Sequence, residues 1–314
     1  MSTIKQKPKR RRPTDFVIAN NWRVIKKLGS GSFGHIYLAE SVSDRQQYAV
    51  KLEDVQSKFP QLEHERNMYK ALQGGTGIPN IFWFGYDGVR NEHKALVMEY
   101  LGPSLEDLFT FCKRRFSLPT VLLLAQQMIS RVEFLHSKHI IHRDIKPDNF
   151  VMGQRGCSSR LYIVDFGLSK LYIDQNTNVH IRNRTKKGLT GSPRYASIHT
   201  HNGSEQSRRD DMESIAYCLV YFLKRQLPWQ GLDGETKKQR YEKIKEKKLN
   251  TSLPVLCSDL PPEFQTYLHY CRQMDFECTP DYSAIRELFH KLFVKLNFPQ
   301  NTRFDWEFKK TNQI

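Results

Sequence analysis

The feature that most constrains the fold of this chain is the run His142-Arg143-Asp144-Ile145-Lys146-Pro147-Asp148-Asn149, followed 16 residues after Asn149 by Asp165-Phe166-Gly167. Either His-Arg-Asp or Asp-Phe-Gly alone could arise by accident. The two in this order, downstream of a glycine-rich segment and a lysine, form a specific pattern. The spacing therefore indicates a chain that builds a phosphoryl-transfer site.

Each polar group of the two motifs matches a requirement of phosphoryl transfer. Asp144 would orient the attacking hydroxyl group and accept its proton, and Lys146 would neutralise the moving phosphoryl group. Asn149 and Asp165 would supply oxygen ligands to Mg²⁺. Because the transition state is loose, positioning and charge neutralisation provide most of the rate. The sequence thus predicts a catalytic centre at these four residues.

A glycine-rich segment, Gly29-Ser30-Gly31-Ser32-Phe33-Gly34, precedes those motifs. Glycines allow backbone N–H groups to approach phosphate closely. Dinucleotide-binding domains share this pattern, but there a helix follows the glycines directly. Residues 35–39 (His-Ile-Tyr-Leu-Ala) are instead typical of a strand. We therefore predict a glycine-rich hairpin that covers phosphate groups.

Lys51 lies in the strand-like run at residues 48–52. In isolation, a lysine at a strand end is about as often a solvated surface charge as a functional group. Glu65, however, shares a helical face with Leu62, Tyr69 and Leu72, which points it toward the core. Because a buried carboxylate needs a partner, we predict a Lys51–Glu65 ion pair.

The coarse pattern changes from strands to helices along the chain. Residues 22–98 are mainly strand-like with one helix, and a further short apolar run at residues 95–98 predicts a strand. The residues after 101 are mainly helix-like. Ser104 and Ser207 each precede an aspartate by three residues and predict helix starts. An apolar face predicts a further helix at residues 118–137. The fold class is α+β, with a small β-rich N-lobe carrying one main helix and a large, mostly helical C-lobe.

Four segments follow from this pattern. They are a basic disordered arm at residues 1–15, the N-lobe at 16–101, the C-lobe at 102–300 and a short C-terminal extension at 301–314. The arm is rich in lysine, arginine and proline and has almost nothing apolar. This composition is typical of a solvated tail and also of a nuclear import signal.

The net charge of +16 favours anionic partners, which include nucleotides, acidic or phosphorylated proteins, nucleic acids and membrane surfaces. No DNA- or RNA-binding motif accompanies the charge, so we expect no specific nucleic acid. No apolar run reaches the roughly 20 residues of a membrane-spanning helix. The six cysteines form no C-x-x-C pair and are typical of a reducing compartment. We expect a monomer that is cytoplasmic, nuclear or both.

With these residues in view, the chain resembles the casein kinase 1 family of serine/threonine protein kinases from about Trp22 to Trp306. Family-like runs lie at residues 101–109, 205–211 and 227–231. Residues 194–199 (Arg-Tyr-Ala-Ser-Ile-His) replace the Ala-Pro-Glu of most kinases. Tau-tubulin kinases and vaccinia-related kinases share part of this pattern with a poorer match.

The resemblance implies a bilobal protein kinase fold that uses ATP and Mg²⁺. Met98 would guard the back of the adenine pocket, and Glu99 and Leu101 would offer hinge backbone groups. Arg143 and Asp211 would support the catalytic loop, Asp211 by fastening its backbone. The residues implied for ATP binding are Leu28, Gly29, Ser30, Gly31, Ser32, Phe33, Gly34, His35, Ile36, Ala49, Lys51, Met98, Glu99, Leu101, Val151 and Val164.

The resemblance also implies substrates in which the acceptor serine or threonine follows acidic or phosphorylated residues. Lys187, Arg194 and Arg240 match anion-binding positions of the family, although basic stretches of this kind are often solvated surface. Ser192-Pro193 and His199 stand where the family usually has Thr-Ala and Asn. A catalytically weak scaffold with the same fold is the alternative, but it would lack a catalytic lysine, aspartate or metal ligand.

Overall fold

A computed structural model of the chain describes residues 16–31, 34–87 and 92–311. The chain forms two compact units. Among the described residues, the first comprises 16–31, 34–73, 79–87 and 92–101, and the second comprises 74–78 and 102–311. The predicted arm at residues 1–15 and two residues of the glycine-rich segment, Ser32 and Phe33, lie outside the described residues. The predicted segment boundaries therefore stay predictions.

The first unit is built on an antiparallel sheet with one helix, α1 (Leu62–Leu72). The strand order is β1-β2-β3-β4-β6-β5. The strands are β1 (Val17–Ile18), β2 (Trp22–Gly31), β3 (Gly34–Ser41), β4 (Gln47–Asp54), β5 (Ile81–Asp87) and β6 (His93–Glu99). The strands predicted near residues 35–39, 48–52 and 95–98 are confirmed as parts of β3, β4 and β6.

Side-chain alternation gives the two faces of this sheet different roles. Val24, Ala39, Val50 and Val97 cluster on one face, where Ile18 of β1 joins them. Successive residues of a strand point to opposite faces, so the residues on either side of Val50 belong to the other face. The hydrophobic core of the first unit therefore fixes the direction in which Lys51 points.

The second unit is mainly helical. Its helices are α2 (Leu105–Phe111), α3 (Leu118–Ser137), α4 (Ile198–His201), α5 (Arg208–Lys224), α6 (Lys237–Asn250), α7 (Leu253–Leu256), α8 (Pro262–Gln273), α9 (Tyr282–Lys295) and α10 (Asp305–Thr311). Two small antiparallel sheets pair β7 (Ile140–Ile141) with β10 (Lys170–Leu171), and β8 (Phe150–Met152) with β9 (Leu161–Ile163).

Helix α5 is the centre of the second unit, because it is buried from Arg209 to Phe222. Helices α3 and α8 pack against it. Ser207 caps its start, and the Asp210 carboxylate accepts a hydrogen bond from the Ser207 N–H at 2.7 Å. Ser104 caps α2 in the same manner. The predicted helix starts at Ser104 and Ser207 and the predicted helix at residues 118–137 are confirmed.

The predicted α+β class is also confirmed, with a β-rich first unit that has one main helix and a helical second unit. Among the residues that the structure describes, no helix combines the length and the apolar character that crossing a membrane requires.

Candidate active site

Lys51 and Glu65 form an ion pair inside the first unit. Lys51 lies on β4 and Glu65 on α1, and the Lys51 Nζ donates to the Glu65 Oε2 at 2.6 Å. Their side chains are 7% and 1% exposed, so neither charge is screened well by water. The pair predicted from the sequence is present.

The strand register places other predicted residues beside Lys51. Ile36 on β3 is the cross-strand neighbour of Lys51, and Gly29 on β2 is the neighbour of Ile36. Ala49, two residues before Lys51, is opposite Met98 on β6. Residues two apart on a strand, and directly opposed residues on adjacent strands, share a face. Ile36, Ala49, Lys51 and Met98 therefore lie on one face of the sheet.

The glycine-rich segment turns between two strands. β2 extends to Gly31, β3 begins at Gly34, and these two glycines pair with each other. A strand follows the glycines, so the helix that a dinucleotide-binding domain requires is not there. Gly34 has φ +147°, and a Cβ on it would lie 2.3 Å from the Leu52 carbonyl oxygen. The predicted hairpin is confirmed, and its predicted role in covering phosphate groups stays a prediction. Glycine at position 34 lets β3 approach β4 closely.

The remaining residues implied for ATP binding occupy varied surroundings. Leu28 and His35 are exposed, whereas Leu101 is buried. The Glu99 carboxylate accepts hydrogen bonds from the N–H and side-chain amide of Asn80, at 3.1 and 3.3 Å. Val151 on β8 and Val164 just after β9, both in the second unit, are half-buried.

The catalytic loop of the second unit brings Asp144, Lys146 and Asn149 together. The Lys146 Nζ donates to the Asp144 Oδ2 at 2.7 Å. The Asn149 side-chain amide donates to the Asp144 backbone carbonyl at 2.9 Å and approaches its Oδ2 at 3.4 Å. The other carboxylate oxygen, Oδ1, is buried and has no hydrogen-bond partner among the described residues. One oxygen of Asp144 is thus held and the other is available.

The charges around Lys146 keep it protonated. Burial opposes its positive charge, but the carboxylates of Asp144, Asp165 and Asp148 outweigh that penalty and raise the pKa of Lys146. A permanent cation at this position can neutralise negative charge that develops on a nearby group.

Asp211 on α5 fastens the backbone of the catalytic loop. Its carboxylate accepts hydrogen bonds from the N–H groups of His142 and Arg143, at 2.7 and 2.9 Å. Burial favours the neutral carboxyl group, but the hydrogen bond from His136 and the neighbouring donors outweigh it and lower the pKa of Asp211. Asp211 therefore stays ionised at neutral pH and holds the loop, as the resemblance implies.

His136 was missed as a functional residue by sequence reasoning. Its Nε2 lies 3.1 Å from the Asp211 Oδ2, and its Nδ1 lies 2.7 Å from the Tyr282 hydroxyl group. Burial lowers the pKa of His136, so the ring is neutral, donates from Nε2 and accepts at Nδ1. The regular spacing of His136, His139 and His142 was a visible signal, but spacing suggests a metal and cannot reveal a contact with α5.

Arg143 and Asp165 both adopt left-handed backbone conformations, with φ +65° and +68°. Such angles cost free energy in residues with a Cβ and persist only where the surroundings enforce them. The Arg143 side chain donates from Nε to the Leu168 carbonyl at 2.6 Å, which ties the catalytic loop to the residues after Asp165. The two sequence motifs are therefore linked inside one unit.

Gly191 is a second residue that the sequence did not single out. It has φ +92°, and a Cβ there would lie 2.3 Å from the Arg143 carbonyl oxygen and 3.4 Å from the Asp144 Oδ1. Only glycine allows the chain to pass this close to the Arg143 carbonyl group, next to the available oxygen of Asp144. The segment around residue 191 is consequently part of the candidate site.

The donor set at Asn149 and Asp165 suits magnesium. Carboxylate and amide oxygens are ligands that Mg²⁺ prefers, and magnesium usually keeps several waters and binds substrate phosphates. Because the Asn149 amide nitrogen donates to the Asp144 carbonyl, its oxygen is the atom left for an ion. Within the described ranges, no group of three or more His, Cys, Asp or Glu side chains could hold a metal. A magnesium ion here would need phosphate and water ligands as well.

The three residues of the predicted anion site differ in their surroundings. Lys187 pairs with Glu205 at 3.3 Å, and Lys170 shares that carboxylate at 3.1 Å. Arg194 and Arg240 are exposed, each beside the ring of the following tyrosine. Helix α6, which carries Arg240, packs on α4, which begins shortly after Arg194.

Comparison with known families bears directly on this arrangement. The family model described as protein kinase domain matches residues 22–292, which is most of the chain and includes the glycine-rich hairpin, the ion pair and both motifs. A protein kinase acts on protein substrates with ATP and usually requires Mg²⁺. The chain therefore belongs to the protein kinase family.

Proposed function

We propose that this protein kinase transfers the γ-phosphate of ATP to serine and threonine residues of acidic or already phosphorylated proteins, in the manner of the casein kinase 1 family. The family-like runs at residues 101–109, 205–211 and 227–231 support the subfamily assignment. The positive charge of the molecule and the exposed arginines at positions 194 and 240 support an anionic substrate.

One observation carries the catalytic part of the proposal, namely the uneven environment of the Asp144 carboxylate. Its Oδ2 accepts hydrogen bonds from Lys146, and its Oδ1 is buried without a partner among the described residues. We assign to Oδ1 the task of accepting the proton of the attacking hydroxyl group. In this step the hydroxyl oxygen bonds to the γ-phosphorus and ADP leaves.

Other residues would act by position and charge. Lys146 would neutralise the phosphoryl group during transfer, and Asn149 and Asp165 would hold Mg²⁺, which supplies charge neutralisation on the phosphates. Lys51, oriented by Glu65, would bind the ATP phosphates. Asp211 would keep the loop in place through its bonds to two backbone N–H groups.

The acidic or phosphorylated substrate would be recognised by Lys187, Arg194 and Arg240. A phosphate carries about two charges and can form one to three charge-assisted hydrogen bonds. At roughly 1.5–3 kcal/mol each, the loss of one bond changes kcat/KM by about tenfold or more. A solvated surface charge has a much smaller effect.

The experiment compares a peptide phosphorylated three residues before its serine with the same peptide unphosphorylated. We expect the wild-type kinase to prefer the phosphorylated peptide about tenfold or more, with a larger preference at low salt. Arg194→Ala combined with Arg240→Ala should abolish the preference and keep activity on the unphosphorylated peptide.

The matched control is Lys243→Ala combined with Lys247→Ala. These are exposed cations of the same helix α6, so the net charge changes equally. The control should keep the preference. An equal preference in the arginine variant and the control would contradict the anion site. A monomeric state and a cytoplasmic or nuclear location stay predictions.

A further inference from the structure

Lys248, near the end of α6, has a completely buried side chain. Its Nζ donates to the backbone carbonyl oxygens of Ala196 and Pro193, the latter at 3.1 Å, and lies 3.4 Å from that of Arg194. It also lies 3.2 Å from the His201 Nε2. Three carbonyl groups of one short segment therefore converge on a single amine from a helix some 50 residues later in the sequence.

Aromatic rings complete the surroundings of this amine. The Lys248 Nζ lies 4.7 Å from the ring centre of Tyr217 and 4.9 Å from that of Trp229. The Trp229 indole N–H donates to the Arg194 carbonyl oxygen at 2.7 Å. A buried ammonium group is costly unless acceptors and aromatic faces surround it. The site supplies both, so it is built for a cation.

The charged groups nearby bear on the protonation of Lys248. Burial lowers its pKa to about 7, Glu213 on α5 acts against this shift, and Arg272 on α8 acts with it. Burial and Lys248 together lower the pKa of His201 to about 3, and the His201 imidazole is therefore neutral. Carbonyl oxygens accept but cannot donate, which favours the protonated amine over the neutral one.

The segment held by Lys248 is also tied down from α5. The Ser197 hydroxyl group donates to the Asp210 carboxylate, and the Ile198 N–H donates to the Glu213 Oε1 at 3.0 Å. Helix α5 thus holds residues 197–198 and α6 holds residues 193–196. Removal of the Lys248 amine would leave three inward-facing carbonyl groups without this donor.

We propose that Lys248 is a positioning residue for protein-substrate binding, whose ammonium group fixes the backbone of residues 193–196 and so shapes the surface that receives the substrate. The inference rests on the proposed function in one respect, that the segment that follows Gly191 and carries Arg194 lies against the protein substrate. Gly191 lies beside the Asp144 carboxylate, and Arg194 belongs to the proposed anion site. The same contacts fix α6, which carries Arg240, relative to the segment that carries Arg194.

The test is Lys248→Met, which keeps an unbranched apolar stem against the two aromatic rings and removes the donor. We expect KM for a neutral serine peptide to rise about tenfold, because residues 193–196 can shift once their carbonyl groups lose the Lys248 donor. KM for ATP should stay within about twofold. Partial unfolding would lower the apparent kcat without raising KM for the peptide alone. Lys247→Met, an exposed neighbour on α6, is the control and should match the wild type.

A peptide KM within about twofold of the wild type in folded Lys248→Met would overturn the inference. If that variant does not fold, Trp229→Phe decides, because it keeps an aromatic ring and removes only the N–H that binds the Arg194 carbonyl. It should raise the peptide KM about threefold, and an unchanged value would count against the inference.

The neutral peptide carries no anion. A missing preference for phosphorylated peptide would therefore contradict the anion site alone, and a lack of serine phosphorylation would contradict the proposed function.

Discussion

Single buried carboxylates of α5 hold the two segments on which the candidate site depends. Asp211 binds the N–H groups of His142 and Arg143, and Glu213 binds the N–H of Ile198. Asp210 accepts from the Ser197 hydroxyl group and from the Ser207 N–H. Buried N–H groups that lose such an acceptor carry a full desolvation penalty. Each of these side chains therefore sets the position of a backbone segment.

The ionisation of Asp210 should make the stability of the protein depend on pH. Burial raises its pKa from the ordinary value of 3.8 to about 7. Between about pH 4 and pH 7 the folded state keeps this proton while the unfolded chain releases it, so Asp210 lowers stability as the pH rises. Asp210→Asn is neutral throughout. The Tm of the variant minus that of the wild type should therefore become more positive from about pH 5 to about pH 8 in calorimetry. Asp233→Asn, at an exposed position, is the control, and a flat difference for Asp210→Asn would contradict the assignment.

The Lys51–Glu65 pair gives a second prediction. Each partner is buried against the other, so losing one leaves an uncompensated charge, whereas losing both does not. Lys51→Met and Glu65→Gln should therefore be non-additive in log kcat/KM, with a coupling of about 0.5–3 kcal/mol. The exposed pair Lys291–Glu287 is the control, for which Lys291→Met and Glu287→Gln should be additive. Additive losses at Lys51 and Glu65 would show that Glu65 has another role.

At the scale of elements, α10 and the start of α3 stabilise each other. The Ser117 N–H and hydroxyl group donate to the Asp305 carboxylate at 2.6 and 2.7 Å. The Asp305 N–H in turn donates to the Thr120 hydroxyl oxygen at 3.1 Å. Trp306 is buried, and its ring contacts that of Phe116. The short last helix is therefore an integral part of the second unit.

Trp306→Ala should lower the free energy of unfolding by about 3–5 kcal/mol, because it removes a large buried ring and leaves a cavity. Phe308→Ala, two residues later on the same helix, changes a side chain that is 57% exposed and should cost about 0.5 kcal/mol or less. Urea unfolding of both variants measures the difference. Equal effects would show that α10 does not dock through Trp306.

At the scale of the whole molecule, features that depend on local sequence patterns could be predicted, whereas most contacts between distant segments could not. Periodicity located α1, α3 and three strands, and Ser104 and Ser207 marked helix starts, because these signals lie within a few residues of each other. The Lys51–Glu65 pair was predictable because the helical face of Glu65 required burial. Two motifs at fixed spacing named Asp144, Lys146, Asn149 and Asp165.

Contacts between distant segments could not be predicted in this way. Lys248 lies in the helix Lys237–Asn250, which has many charged residues, and looks like one more solvated cation. Its burial depends on carbonyl groups of residues 193–196, which periodicity does not address. The contact between His136 and Asp211 and the approach of Gly191 to Asp144 depend equally on how the second unit packs. Lys187, Arg194 and Arg240 were assigned to the anion site from the resemblance alone, and their role stays a prediction.

The most direct measurement of the central claim is the rate of γ-phosphate transfer from ATP to a serine peptide by Asp144→Asn. Asparagine keeps the shape of the side chain and an acceptor for Lys146, but it cannot take the proton of the hydroxyl group. ATP affinity and Tm should stay close to those of the wild type, while kcat should fall by about a hundred- to ten-thousandfold. Near-normal turnover by a folded, ATP-binding Asp144→Asn protein would contradict the account.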